Sequence, residues 1–385
     1  MAVSIYLDYN STTPVDPRVL TAMLPYLAEN FGNANSIHSS GQRARAAVDA
    51  ARQAVAELLR AKAAEIVFTC GGTEADNLAI FGIVNPCDQP RKHVVTTAIE
   101  HHAVLNTAQA LEKQGVDVTY VPVSREGIVD PEDIREAIRP ETVLLSVMLA
   151  NNEIGTIQPI EEISRIAAEE DVYFHCDAVQ AAGKMAIDVR KLGVDLLSIS
   201  GHKLYAPKGV GALFVKAGTE LGPMFFGGHH ERDRRPGTEN VPGIVGLGKA
   251  AQLAMENLDA DAPRLAALRD RFENALLALP GVRVNGSMRE RAPNTSNLSF
   301  DAAGGEALVI ALDLQGVMCS SGAVEPSHVL TAIGLTPDQA RSSLRFSLGR
   351  PTTEQEIDEA IRIIPPVVER LRALSPLHVG ASAVR

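Results

Sequence analysis

The chain has 385 residues, 45% hydrophobic and 22% charged, with a formal net charge of −11. That is enough chain for one large and one smaller domain, and the acidic balance argues against nucleic acid or an anionic membrane surface as main partner. No apolar stretch reaches the ~18 residues of a membrane span, and "MAVSIYLDYNSTTP" lacks a signal-type apolar core.

From the N-terminus onward, residues 40–60 ("SGQRARAAVDAARQAVAELLR") read as a long helix rich in alanine and arginine. Short β-rich runs then alternate with helical patterns at 65–70, 93–97, 143–149, 172–176, 194–200 and 210–215. Several runs are almost wholly apolar, as strands covered on both faces are, so a mainly parallel sheet with crossover helices is expected. The character changes near residue 250. A helix at 265–279, a strand at 294–300, a helix at 305–315 ended by Gly316 and a strand at 342–349 follow. A further helix starts near the Thr353/Glu356 capping-box pair, and Pro365 and Pro366 are expected to kink or interrupt it. The expected division is α/β: a large domain over 16–250, and a smaller α+β domain from 1–15 and 251–385.

In open α/β sheets the ligand crevice lies at the carboxyl ends of the strands. Strand 65–70 runs into Gly71-Gly72-Thr73 and a helix, a turn whose backbone amides can approach a phosphate. Strand 93–97 leads to Glu100-His101-His102; adjacent histidines on a helix point apart, and no metal-ligand spacing is present. Strand 143–149 leads to Asn151-Asn152, strand 172–176 to Asp177 and Gln180, and strand 194–200 to Ser200, His202 and Lys203. Singly, each has a plain structural explanation as a turn, cap or surface residue. Together they place an anion cradle, an acid, a histidine and a lysine along one sheet edge. Pyridoxal 5′-phosphate chemistry needs this set: a lysine for the Schiff base, an acid facing the ring nitrogen, and amides and hydroxyls for the phosphate. The four cysteines, Cys70, Cys87, Cys176 and Cys319, lack disulfide spacing, which fits a reducing cytoplasm.

Segments along nearly the whole chain resemble the cysteine desulfurases of the NifS/IscS type, fold-type I pyridoxal-phosphate enzymes. They include "YLDYNSTTPVDPRV" (6–19), "FTCGGTEADNLAI" (68–80), "ANNEIGTIQPI" (150–160), "HCDAVQAAGK" (175–184), "SISGHKLYAPKGVGAL" (198–213), "RRPGTEN" (234–240) and "LRFSLGRPTTEQEID" (344–358). The resemblance implies that Lys203 carries the cofactor, Asp177 pairs with the pyridinium, Gln180 faces the ring hydroxyl and His101 stacks on the ring. Gly72, Thr73, Ser200 and His202 would hold the phosphate, and Thr238 would reach the neighbouring subunit's phosphate in a homodimer. Asn152 and Arg345 would hold the substrate carboxylate. The implied reaction takes sulfur from L-cysteine, leaving alanine and an enzyme persulfide, and passes it to an iron–sulfur scaffold or a tRNA-thiolation carrier.

One stretch departs from the family pattern, "GVMCSSGAVEPSHVL" (316–330). Counted back from Glu325, Cys319 stands where the family keeps its nucleophile. Counted forward from Gly316, about six residues are missing, "VMCSSGA" becomes a strand, and the nucleophile's segment is absent. A packed cysteine in a short strand is the plain alternative. Two other readings therefore stand beside a desulfurase: a pyridoxal-phosphate lyase acting on cysteine, cystine or selenocysteine without a protein persulfide, and a cofactor-binding homologue without catalysis.

Overall fold

A computed structural model of the protein describes residues 4–321 and 326–374. Its main sheet has seven strands in the order Ile66–Thr69, Gly211–Val215, Leu196–Ser200, Tyr173–Asp177, Thr142–Ser146, His93–Thr97 and Asp117–Val121. Gly211–Val215 runs antiparallel to both neighbours; the other pairings are parallel. The exception follows from chain length. The loop from Ser200 to Gly211 is too short for a crossover helix, so the chain must turn back beside the strand it has just left. Every other strand then ends on one edge, and the residues after those ends share a crevice.

Six of the seven strands coincide with the apolar runs in the sequence. The seventh, Asp117–Val121, was not among them. It is an edge strand, "DVTYV", with only Val121 buried, so it lacks the apolar run of a covered strand. Helix Ser39–Leu59, capped by the His38 ring accepting from the Gly41 amide at 3.2 Å, buries Ala44, Val48, Ala51 and Val55 in the large core. It packs on the long helix Val241–Leu277 where Gly248 lets the two backbones meet. A Cβ at Gly248 would stand 2.6 Å from the Ala51 Cα, so any side chain there would push the helices apart.

The long helix carries the chain from one core to another, and residue 250 falls inside it. Leu253 and Ala254 lie in the large core, whereas Leu265, Leu268 and Phe272 lie in a second, smaller one. That second core is roofed by an antiparallel sheet ordered Ser320–Ser321, Ser343–Ser347, Thr295–Phe300 and Val282–Val284. Ile5 and Leu7 from the N-terminus are buried in it, and Ile5–Tyr6 pairs in parallel with Val317–Met318.

Pro365 and Pro366 do not interrupt the last helix, which runs unbroken over Glu354–Leu374. Each proline removes a backbone hydrogen bond and crowds the preceding turn, a penalty of about 3 kcal/mol. The apolar stripe Ile357, Ala360, Ile363, Ile364 and Val368 continues across them, and its burial holds both halves on the smaller core.

Candidate functional site

The strand ends open into a crevice of about 420 Å³ lined by Gly72, Thr73, Asp76, His101, Asn152, Asp177, Gln180, Ser200, His202, Lys203 and Arg345, with Asn10 and Ser11 from the N-terminal segment. Of the site residues expected from sequence, Thr238 and Cys319 are not in this wall.

Lys203 ends the single 3₁₀ turn Gly201–Lys203 that follows strand Leu196–Ser200. Its ammonium donates to the Ser11 carbonyl at 2.7 Å and also to the Asn10 carbonyl. Burial, and after it the Arg345 charge, lowers its pKa to about 8. An amine in that range is a usable nucleophile near neutral pH, which a surface lysine is not.

The anion cradle is the start of helix Gly72–Val84. No side chain caps it, so its first amides are free to hold a ligand. Gly72 sits so tightly that a Cβ would lie 2.7 Å from a Val179 methyl and 3.3 Å from Ser200 Cβ. Ser200 and His202 border the same wall, and the His202 ring bonds Thr12 Oγ1 at 3.1 Å. Burial, then Lys203, lowers the His202 pKa to about 4, so the ring is neutral.

Asp177 ends strand Tyr173–Asp177 and accepts from the Val179 amide at 2.9 Å. Burial raises its pKa to about 6, against the Val179 bond and the Lys203 charge, which both lower it. Behind it stands a second carboxyl that sequence reasoning did not single out. Asp76 is fully buried, its Oδ1 has no hydrogen-bond partner, and His175 Nε2 lies 3.6 Å away. Burial and the neighbouring Asp177 hold the Asp76 pKa well above the carboxylate range, while burial lowers His175 to about 3. Between the two acids Asp177 is the more acidic, so Asp76 keeps the proton. A sequence signal existed: helix Gly72–Val84 is buried nearly all round, and an aspartate inside such a helix has no solvent to face.

His101 caps helix His102–Glu112, its Nδ1 accepting from the Ala103 amide at 3.1 Å, which leaves the ring proton on Nε2. Burial, then Lys203, lowers its pKa to about 4. Gln180 donates to the Asn10 carbonyl at 3.0 Å and accepts from Lys184 at 2.7 Å; Lys184 also binds Asn10 Oδ1 at 2.9 Å. Burial lowers the Lys184 amine well below its ordinary range. Arg345 reaches in from the smaller sheet. It binds the Asn152 carbonyl at 3.0 Å, Asp8 at 2.8 Å and Ser11 Oγ at 2.7 Å, and its Nε is buried without a partner. Asn10, Ser11, Asp8 and Lys184 all lie within segments that resemble the family, but nothing in their local sequence marks them as site residues.

Thr238 is exposed on the loop before helix Val241–Leu277. Cys319, expected as the nucleophile, is not exposed in this structure. Cys319 stands between Val317–Met318 and Ser320–Ser321, 9% exposed, packed in the smaller core. Burial, then the Asp8 charge, raises its thiol to about 12. The strand begins directly after Gly316, as the upstream count expects, and both flanks of Cys319 are tied into pairings. Glu325, from which the downstream count is made, lies outside the described residues.

The aminotransferase class-V family pattern matches residues 5–360. The chain is 48% identical over 380 residues to the cysteine desulfurase IscS of Methanosarcina thermophila, covering 97% of this chain and 94% of that one. It is 51% identical over 386 residues to the cysteine desulfurase IscS of Anaeromyxobacter dehalogenans (strain 2CP-C), covering 98% and 96%. Among solved structures, a NifS-like protein superposes with a TM-score of 0.91 at 37% identity, over 96% of this chain and all of that one. SspA in complex with cysteine superposes at 0.81 and 39% identity, over 90% and 99%.

Proposed function

The chain belongs to the aminotransferase class-V family, and from that premise we infer a pyridoxal-phosphate-dependent cysteine desulfurase, which takes sulfur from L-cysteine and leaves L-alanine. One observation carries the reading at this site: a lysine amine held near pKa 8 shares a crevice with a buried aspartate and an uncapped helix N-terminus. The crevice fits the cofactor. The Gly72 turn, where a Cβ would clash, admits a phosphate ester, and Asp177 offers a carboxylate for a cationic ring nitrogen.

Pyridoxal phosphate, when bound, supplies an aldehyde that condenses with amines and a protonated ring that draws electrons from the amino acid α-carbon. Lys203 would hold the aldehyde, and its Nζ as a neutral amine would be the base for the α-proton. The Gly72 and Thr73 amides, Ser200 and His202 would hold the phosphate. Asp177 would hold the ring nitrogen protonated, Gln180 would face the ring hydroxyl, and the neutral His101 would cover the ring and relay protons. Asn152 and the Arg345 fork orient the substrate carboxylate, which places the α-hydrogen towards Lys203.

We also infer a homodimer. Ile37, Phe226 and Phe31 stand 92%, 90% and 81% exposed, and a second copy would cover such surface. The exposed Thr238 is then free to reach the phosphate of the neighbouring site. The sulfur goes to an iron–sulfur scaffold or a sulfur-carrier protein in the cytoplasm. Among the described residues no helix is long and apolar enough to cross a membrane.

The test is alanine formation from L-cysteine by the cofactor-loaded protein. We expect alanine in step with sulfide when a reducing thiol is present, and loss to background in Lys203→Ala. Pyruvate and ammonia in place of alanine would mark an eliminating lyase and overturn the reading.

A further inference from the structure

Sulfur removal needs a thiolate within reach of the substrate sulfur. The chain has four cysteines, and residues 1–3, 322–325 and 375–385 contain none. All four can therefore be placed, and none lines the crevice.

Cys176 is inside a central strand with no exposed surface, and burial raises its thiol well above the ordinary value. Cys87 lies beyond the far end of helix Gly72–Val84, whose 13 residues carry it about 20 Å from the crevice. Cys70 is exposed beside the Gly71-Gly72 turn. Burial of its thiol, and then a hydrogen bond to Glu74, raises it to about 11, and Glu74 is itself locked to Arg235 at 2.7 Å. Cys319 is raised to about 12.

Releasing Cys319 would also loosen the site it would have to serve. The Gly316 carbonyl accepts from Ile5 at 2.7 Å and the Met318 carbonyl from Leu7 at 2.8 Å. Ser320 pairs with Arg345 and Ser321 with Leu344. Moving residues 317–321 outward strips one of the two strand partners of Arg345, leaving Asn297 as the other, and removes the Gly316 and Met318 ties from the N-terminal segment whose Asn10 and Ser11 carbonyls hold Lys203. A travelling cysteine needs a tip free of such ties.

Resting on the desulfurase reading, we propose that the thiolate accepting the sulfur is brought into the crevice by another molecule, a small thiol or a protein cysteine. The incoming sulfur attacks the sulfur of bound L-cysteine, and a sulfur–sulfur bond forms. The sulfur–Cβ bond breaks, its electron pair passes to Cβ, and a proton completes the methyl group of alanine. Thiol plus cysteine gives persulfide plus alanine. The two sulfurs are oxidised as Cβ is reduced, so no outside oxidant or reductant enters. Arg345 at the wall favours the anionic form of the visiting sulfur.

The experiment uses the cofactor-loaded protein in two arms. In the first, excess enzyme meets L-cysteine without added thiol, persulfides are trapped by alkylation, and cysteine peptides are mapped by mass. In the second, alanine formation is followed with dithiothreitol, with glutathione and with a small reduced protein bearing one exposed cysteine, for the parent and for Cys319→Ala. We expect no persulfide on any of the four cysteines. We also expect a rate that rises with thiol concentration, and a Cys319→Ala rate within about twofold of the parent, the scatter ordinary for a residue away from the chemistry. Which thiol gives the higher rate separates a small-molecule acceptor from a protein one. A trapped persulfide on Cys319 overturns the proposal, even if Cys319→Ala fails to fold. So does one alanine per L-cysteine formed without added thiol when L-cysteine is kept below the enzyme concentration, where the substrate cannot itself serve as the visiting thiol. Absence of alanine with every thiol sinks the desulfurase reading itself.

Discussion

The strand-end crevice and the Gly316–Ser321 segment are both made by taking ionisable groups out of water, yet they end in opposite chemistry. Burial disfavours charge. It lowers Lys203 to about 8 and so creates a neutral amine that can attack a carbonyl. It raises Cys319 to about 12 and so removes the thiolate, the form of sulfur that reacts. Desolvation activates a lysine and silences a cysteine. The two regions are joined through Arg345, whose strand pairs with Ser320–Ser321 while its guanidinium faces the crevice. The silent cysteine segment is thus part of the scaffold of the reactive one.

After the loss of Lys203 itself, removing that joint gives the largest effect. Arg345→Ala deletes a charged fork, and the loss of one of its hydrogen bonds, worth about 1.5–3 kcal/mol, is enough to lower kcat/KM for L-cysteine about 10- to 150-fold, the least fall expected. The cofactor spectrum should be retained. If that spectrum is lost and a cofactor-loaded Arg345→Ala sample keeps its kcat/KM, Arg345 supports the scaffold and does not hold substrate.

A smaller effect sharpens the contrast in burial. Because the Lys203 pKa is lowered, its neutral form dominates above about pH 8 and its charged form below. Cofactor condensation, followed by visible absorbance, should rise about tenfold per pH unit below that value and level off above it. A rate still climbing at pH 10 would mean that Lys203 keeps the pKa of a solvated lysine.

Much of this was legible in the chain. Parallel strands covered on both faces must be apolar runs, and the residues after each run must lie on one edge, so Asp177, Ser200 and Lys203 were placed by order, while the choice of His101 over its neighbours came from the resemblance. Asp117–Val121 escaped because an edge strand need not be apolar. Asn10, Lys184 and Asp76 escaped because their importance comes from contacts across long sequence separations, such as Asn10 with Lys184 and Lys203. For Cys319 the sequence allowed two alignments. Strand pairing on both sides, to Ile5–Tyr6 and to Ser343–Ser347, follows the one that leaves it buried.

Two buried amines sit near one another in this protein, Lys203 and Lys184, and the account assigns the covalent role to the first. Borohydride reduction of the cofactor-loaded protein, followed by peptide mapping, decides between them. A stable pyridoxyl mass on the peptide carrying Lys203 is the predicted result. The same mass on Lys184, or on no lysine at all, would contradict the assignment on which the site is built.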